Sequence, residues 1–337
     1  MAATRSHQLR GVVLLLALAG LLLAVTGSSR AALPQRTLLA DQASLDLYPG
    51  STTLGRKIDT EVDVYVPQST EMARVVLYLP AGYGVDLAKA PGASVGIAVA
   101  FDPNGLGAIA KLTAADPSAY AATTCAPGPH QAVWLLEVGD GRLPVTPILV
   151  DPTSGADASL GAVKAQLCLP PSSTGTMQVR LLALDLEVLT NPGAAGAYTW
   201  RAFVTPFAAG APNDAGTFEL RSTLPLPIHL TLTGKYDRPH KRAVLSGRLT
   251  APAYDVGGTY LDLVTYRGGH WVFAAWVKVN ARGAFTIRRK ISKTTRFEVL
   301  TATWDDCAPG SPAPAGCISD TLATVWSPVA KVVVRRR

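Results

Sequence analysis

The chain has 337 residues, room for two domains of ordinary size, with 48% hydrophobic residues, 30 Gly, 25 Pro and four Cys. Its net charge of +7 is unevenly distributed: residues 32–224 hold six more acids than bases, and residues 225–337 hold ten more bases than acids. That asymmetry points the carboxy-terminal part toward an anionic surface and, in an exported chain, sets nucleic acid aside in favour of acidic cell-wall polymers or lipid headgroups. A solvated basic face with no partner accounts for the same charges.

Residues 1–31 read as an export leader. Arg5, His7 and Arg10 precede "GVVLLLALAGLLLAV" (11–25), an uninterrupted apolar run of signal-peptide length, and small residues follow in "TGSSRAA". The run is short for a membrane span, which needs about 20 apolar residues, so the mature chain is expected to have none; an uncleaved anchor is the alternative. No Cys lies near its end, which argues against lipid attachment there.

Beyond the leader, short alternating runs bounded by Gly, Pro, Asn and Asp recur, with almost no helical period. In residues 32–224 the expected strands are 61–66, 74–79, 95–101, 131–138, 144–150, 162–169, 177–189 and 198–206, joined by turn sequences such as "DPNG", "DPTSGAD" and "PPSSTG". Strands without covering helices must stack sheet on sheet, so a β-sandwich of unknown function is expected. The prolines of "STLPLPIHL" mark a boundary. Residues 225–337 then offer seven strands, 228–234, 242–250, 260–266, 270–279, 283–291, 296–304 and 321–334, the count of an immunoglobulin-like sandwich. The fold class is therefore all-β, with two sandwiches after a signal peptide.

Within the second unit, Ser246-Gly247-Arg248 ends a strand, Trp271 opens another, "NARGAF" (280–285) spells an N-x-x-G-x-F turn, and Thr294 to Phe297 spells T-x-x-F. With these motifs the last third of the chain resembles the bacterial Ig-like or prealbumin-like modules of exported actinobacterial proteins. The first half, around "CAPGPHQAVW" (Cys125–Trp134), resembles uncharacterised secreted bacterial proteins. The resemblance implies a spacer, a surface-binding unit or a companion of a catalytic domain, with no active site or cofactor of its own.

Outside the cytoplasm cysteines tend to pair. Four allow three connectivities, and locality favours Cys125 with Cys168 and Cys307 with Cys317. A metal site would want close spacing such as C-x-x-C, and no such spacing occurs. Asp102, Asn104, Asp151 and Asp157 sit in loops that could suit calcium, but they lack the EF-hand order and serve turns equally well.

Gly92, Ser94 and Gly96 spell the G-x-S-x-G of a nucleophile elbow, the basis of an alternative reading as a secreted esterase with His130 as base. That elbow needs a strand before the Ser and a helix after it. Here Pro91 precedes, and the alternating "VGIAVAF" after Ser94 predicts a strand.

Strict alternation along 270–279 puts Trp271, Phe273, Val277 and Val279 on a core face, and Trp276 with Lys278 on the other. Tyr260 and Tyr266 share a face with Asp262. If "RGG" closes a hairpin, Tyr260, Tyr266 and Trp276 form an aromatic platform suited to sugar rings, unless that face packs on the first unit or the last strand. Arg288, Arg289 and Lys290 head the basic string "RRKISK", and Arg335 belongs to a second string; both could grip phosphate or carboxylate, or simply protect an edge strand. The expected function is a non-enzymatic, secreted, cell-surface-associated module that contacts cell-wall polysaccharide or an anionic envelope polymer, with a purely structural spacer as a further possibility.

Overall fold

The computed structural model describes residues 43–301 and 320–334. Among these residues the elements are β-strands and short 3-10 turns. The expected leader, residues 1–31, and the expected pairing of Cys307 with Cys317 lie outside the described residues.

The first unit contains β1 (Ser44–Pro49), β2 (Lys57–Tyr65), β3 (Met72–Leu79), β4 (Gly84–Val85), β5 (Ser94–Phe101), β6 (Gly107–Ala115), β7 (Ala132–Val138), β8 (Thr146–Pro152), β9 (Val163–Cys168), β10 (Leu181–Thr190), β11 (Gly196–Ala208), β12 (Ala211–Pro212) and β13 (Phe218–Leu226). They form one continuous sheet in the order β1-β2-β10-β5-β6-β7-β8-β9-β3-β11-β13, with β4 and β12 attached to β10 and β11. The layers expected to stack thus belong to a single sheet wrapped around a shared core. Alternation explains the wrapping: on β2, Ile58, Thr60, Val62 and Val64 are buried inward while Asp59, Glu61 and Asp63 occupy the other face. Trp134 and Trp200 are the largest fully buried side chains.

The second unit contains β14 (His229–Asp237), β15 (Arg242–Thr250), β16 (Tyr260–Arg267), β17 (His270–Lys278), β18 (Ala284–Lys290), β19 (Thr295–Thr301) and β21 (Ala330–Val332). They make a three-stranded sheet, β14-β15-β18, and a four-stranded one, β17-β16-β19-β21. Chain crossings from β15 to β16, β17 to β18 and β18 to β19 move between the sheets, giving the Greek-key sandwich of an Ig-like fold.

Two of the sequence motifs have a direct steric cause. Gly283 holds a positive φ of 73° in a turn that Asn280 organises by accepting from the N–H groups of Arg282 and Ala284 at 2.9 and 3.0 Å. A Cβ there would strike the Leu249 carbonyl. A Cβ at Gly247 would strike both the Thr231 carbonyl and the Phe285 ring, so Ser-Gly-Arg leaves room for the Phe of N-x-x-G-x-F.

The expected single strand over 321–334 is corrected. It is two short strands in different sheets: β20 (Asp320–Leu322) runs parallel to β13, and β21 pairs with β19. Pro328, which has no N–H, stands between them. Buried hydroxyls secure the crossing. Thr321 Oγ1 donates to the Leu45 carbonyl at 2.5 Å and lies 2.8 Å from Ser222 Oγ. Thr301 Oγ1 donates to the Ala323 carbonyl and accepts from Val325 N–H, both at 2.7 Å. Thr324 N–H donates to the Leu47 carbonyl at 2.8 Å, so the segment brings the β1 edge of the first sheet beside β13. Residues 320–327 therefore tie both units together, and one contiguous apolar core runs from Leu45 to Val332.

Candidate functional site

The hairpin β16–β17 carries the aromatic residues, and its register differs from simple alternation. Leu263 pairs with Ala275 but Val264 pairs with Phe273, leaving Ala274 as an extra residue in a β-bulge. A bulge shifts the phase of everything beyond it. The expectation that Trp271 and Phe273 fill the core with Val277 and Val279 is thereby overturned: Tyr266 opposes Trp271, Val264 opposes Phe273, Asp262 opposes Trp276 and Tyr260 opposes Lys278, all on the outer face. The inner face keeps Leu261, Leu263, Val277 and Val279.

This outer face has two ends. At one, Trp271 is only 7% exposed and meets Tyr266 edge-on at 5.4 Å, packed with Val264, Leu300 and Trp326 into a small apolar cluster outside the main core. The Arg296 guanidinium lies 5.6 Å from the Tyr266 ring. At the other end Trp276 is 60% exposed and its ring stands 5.2 Å from that of Phe273. Lys278 Nζ lies 5.3 Å over the Tyr260 ring, a cation–π contact that holds an ammonium beside the aromatic surface. The sealed end fixes the open end in place. The arrangement offers flat apolar rings bordered by an ammonium and by the half-buried Asp262, a combination able to stack on a sugar ring and bond its hydroxyls.

Of the three aromatics singled out from sequence, Tyr260 and Trp276 belong to the open end and Tyr266 to the sealed one. Arg288, Arg289 and Lys290 are not beside them. They lie on β18, in the other sheet. There Arg288 and Lys290 share an outer face with Lys235, Arg242 and Arg248. Asp237, the acid on that face, bonds Arg242 at 2.7 Å and His240 at 2.9 Å, and those hydrogen bonds hold its carboxyl below the usual range. Arg289 alternates to the side of Phe285 and Ile287 and is half-buried. The unit thus presents an aromatic face and a cationic face on opposite sheets.

In the first unit Cys125 and Cys168 form the expected disulfide, with S–S 2.00 Å and Cα–Cα 5.7 Å. Ser94 opens strand β5 and pairs toward Thr113, with a bulge before Gly96. A strand, not a helix, follows it. His130 has both ring nitrogens engaged, Nδ1 with Asp151 Oδ2 at 2.9 Å and Nε2 with the Ala126 carbonyl at 3.0 Å. Asp102 accepts from Asn104 and Leu106 N–H, and Asp157 pairs with Lys164, so these loop acids serve turns and ion pairs. Among the described residues no three His, Cys, Asp or Glu side chains are grouped to hold a metal ion, and no helix is long and apolar enough to cross a membrane.

Sequence reasoning passed over one further group. Asp46 on β1, Glu61 and Asp63 on β2, and Asp185 on β10 share the outer face of the first sheet, Asp46 opposite Asp63 and Glu61 opposite Asp185. Burial, reinforced by Asp185, pushes the Glu61 carboxyl up to about 8, and burial with Asp59 and Glu187 nearby pushes Asp185 up to about 6. Burial, with Glu61, Asp46 and Asp185 around it, also raises the Asp63 carboxyl well above its ordinary value. The alternating acids of "DTEVDV" were the available signal.

No protein family matches the chain, and no curated protein matches it. Among solved structures, the D0-D1 domain of intimin is similar at 7% identity, covering 87% of this chain and 100% of that one, with a TM-score of 0.21. A likeness of that size carries no argument about function.

Proposed function

We propose that the chain is a non-enzymatic, exported module of the cell envelope that binds glycan through the open end of the β16–β17 face. The observation that carries this reading is the bulge at Ala274, which puts Phe273 on the same outer face as Tyr260 and Trp276. A large exposed aromatic held rigid by a packed neighbour supplies contact area at small entropic cost. The disulfide supports an oxidising compartment.

The cationic face of β14, β15 and β18 favours a second contact, with the anionic groups of the same wall material. Five cations on one face against a single acid create a positive field that long-range attraction can use. The two contacts have different signatures, because stacking is insensitive to salt and the ionic contact is screened.

Sedimentation with isolated cell wall tests both. Trp276→Ala and Tyr260→Ala are expected to lower binding about tenfold at all salt concentrations, and Arg288→Glu with Lys290→Glu to remove the salt-sensitive part. Binding untouched by either pair overturns the reading. Turnover of a simple ester that disappears in Ser94→Ala overturns its non-enzymatic part.

A further inference from the structure

The outer face of the first sheet is electrostatically incomplete. None of Asp46, Glu61, Asp63 and Asp185 has a salt bridge among the described residues. Asp63 is 7% exposed, and its Oδ1, like Asp46 Oδ1, has no hydrogen-bond partner. Like charges set opposite each other across strands oppose the pairing that brings them together, and a buried carboxylate oxygen without a donor carries its full desolvation cost.

Over the next two strands the same face carries aliphatic residues and one exposed cation, Lys111, which stands opposite Ile97. Asp185 is opposite Ile97, and Val99 is opposite both Ala183 and Ile109. Ile97 and Ile109 are exposed, Ile109 by 49%. Carboxylates bordering exposed aliphatics call for a ligand that is cationic and apolar together. A bare ion does not meet that description, and the carboxylates are not grouped to ligate one.

This chain contains a segment of the required character. Lys331 to Arg337 reads "KVVVRRR". Lys331 and Val333 are exposed, whereas Val332 stays in the core of its own copy, and β21, from which the segment continues, is the edge strand of its sheet. The units that carry the two features have opposite net charge, six excess acids against ten excess bases. We propose that the acidic face of β1, β2 and β10, with Ile97 and Ile109 beside it, docks the Lys331–Arg337 segment of a second copy of this chain. The contact joins different patches on the two copies, so repeating it adds further copies in a row. Each copy brings its cations to carboxyls that have no salt bridge among the described residues.

Analytical ultracentrifugation of the full chain tests this. At low salt the average mass is expected to rise with protein concentration, and at about 0.5 M salt, where screening is strong, to return to that of one copy. The variant Glu61→Gln with Asp185→Asn removes charge from groups whose ionised forms oppose folding, so it keeps the fold; it is expected to stay monomeric and to bind a synthetic KVVVRRR peptide at least tenfold more weakly. Replacing Arg335, Arg336 and Arg337 with Glu is expected to abolish association as well. A wild-type chain that is monomeric at low salt and ignores the peptide overturns the proposal. So does association that survives the Arg replacements, peptide binding that does not change the mass, or calcium alone shifting the melting temperature through the same carboxylates.

Discussion

Glu61 and Asp185 stand directly opposite each other on β2 and β10, two carboxyls in adjacent strands with no salt bridge to either among the described residues. Both have raised folded-state values, about 8 and about 6, above the ordinary 4.5 and 3.8. A group raised on folding contributes stability at pH below its unfolded value and loses it as the pH climbs through its folded value. The melting temperature is therefore expected to fall as the pH rises from about 4.5 to about 8, by several degrees. Glu219 works in the opposite direction: its hydrogen bonds from Arg221 and Arg201 lower it, so its contribution disappears as the pH drops through its folded value. Thermal melts across pH should show a maximum on the acid side of neutrality, and Glu61→Gln with Asp185→Asn should flatten the alkaline limb. An alkaline limb unchanged in that variant contradicts the assignment.

Trp271 and Trp276 share a face but should respond differently to replacement. Trp271 packs with Val264 and Leu300, and Trp271→Ala is expected to cost about 3 kcal/mol, measured by urea unfolding. Trp276→Ala should cost under about 1 kcal/mol while weakening glycan binding. Equal stability losses would show that the two ends of the face are not distinct.

Because the crossing segment ties the two units together, they are expected to unfold as one cooperative structure. Thr301→Val leaves the Ala323 carbonyl and Val325 N–H without their buried partner, an expected loss of about 1–3 kcal/mol. Calorimetry should find one transition in the wild type. Two well-separated transitions would contradict the tie through residues 320–327.

Gly283→Ala is expected to destabilise by more than about 1 kcal/mol, because it adds a left-handed backbone cost to a clash with the Leu249 carbonyl. A neutral result in chemical denaturation would show that the turn relaxes.

Replacing Cys125 and Cys168 by Ser should lower stability by about 4 kcal/mol on the loop-entropy model for a separation of 43 residues. Denaturant midpoints with and without reductant provide the check.

The eight strands expected in the first half are all present, because their β-branched alternation survives in the fold. β6 was illegible: "GAIAKLTAA" is Ala-rich, and small side chains carry little strand signal although the core takes up Ala108, Ala110 and Leu112. β13 was obscured by Pro225, read as punctuation, though the residue sits within the strand. The aromatic platform was half legible. Tyr260 and Trp276 followed from parity, while Phe273 and Trp271 depended on a bulge that no local spelling announces. The pairing of β20 with β13 had no sequence signal, since three residues cannot advertise a parallel neighbour a hundred positions away.

Thr321 reaches Leu45 across 276 residues of sequence. A nascent chain leaving the ribosome cannot finish the sheet it began with until nearly all of its length has emerged, so the apolar edge of β1 must wait through most of synthesis. Contacts of such separation slow folding and prolong the exposure of unpaired strands. Completion is thus a late event in the life of each molecule, and a chain that stops short of Thr321 keeps an open margin recognisable to quality control.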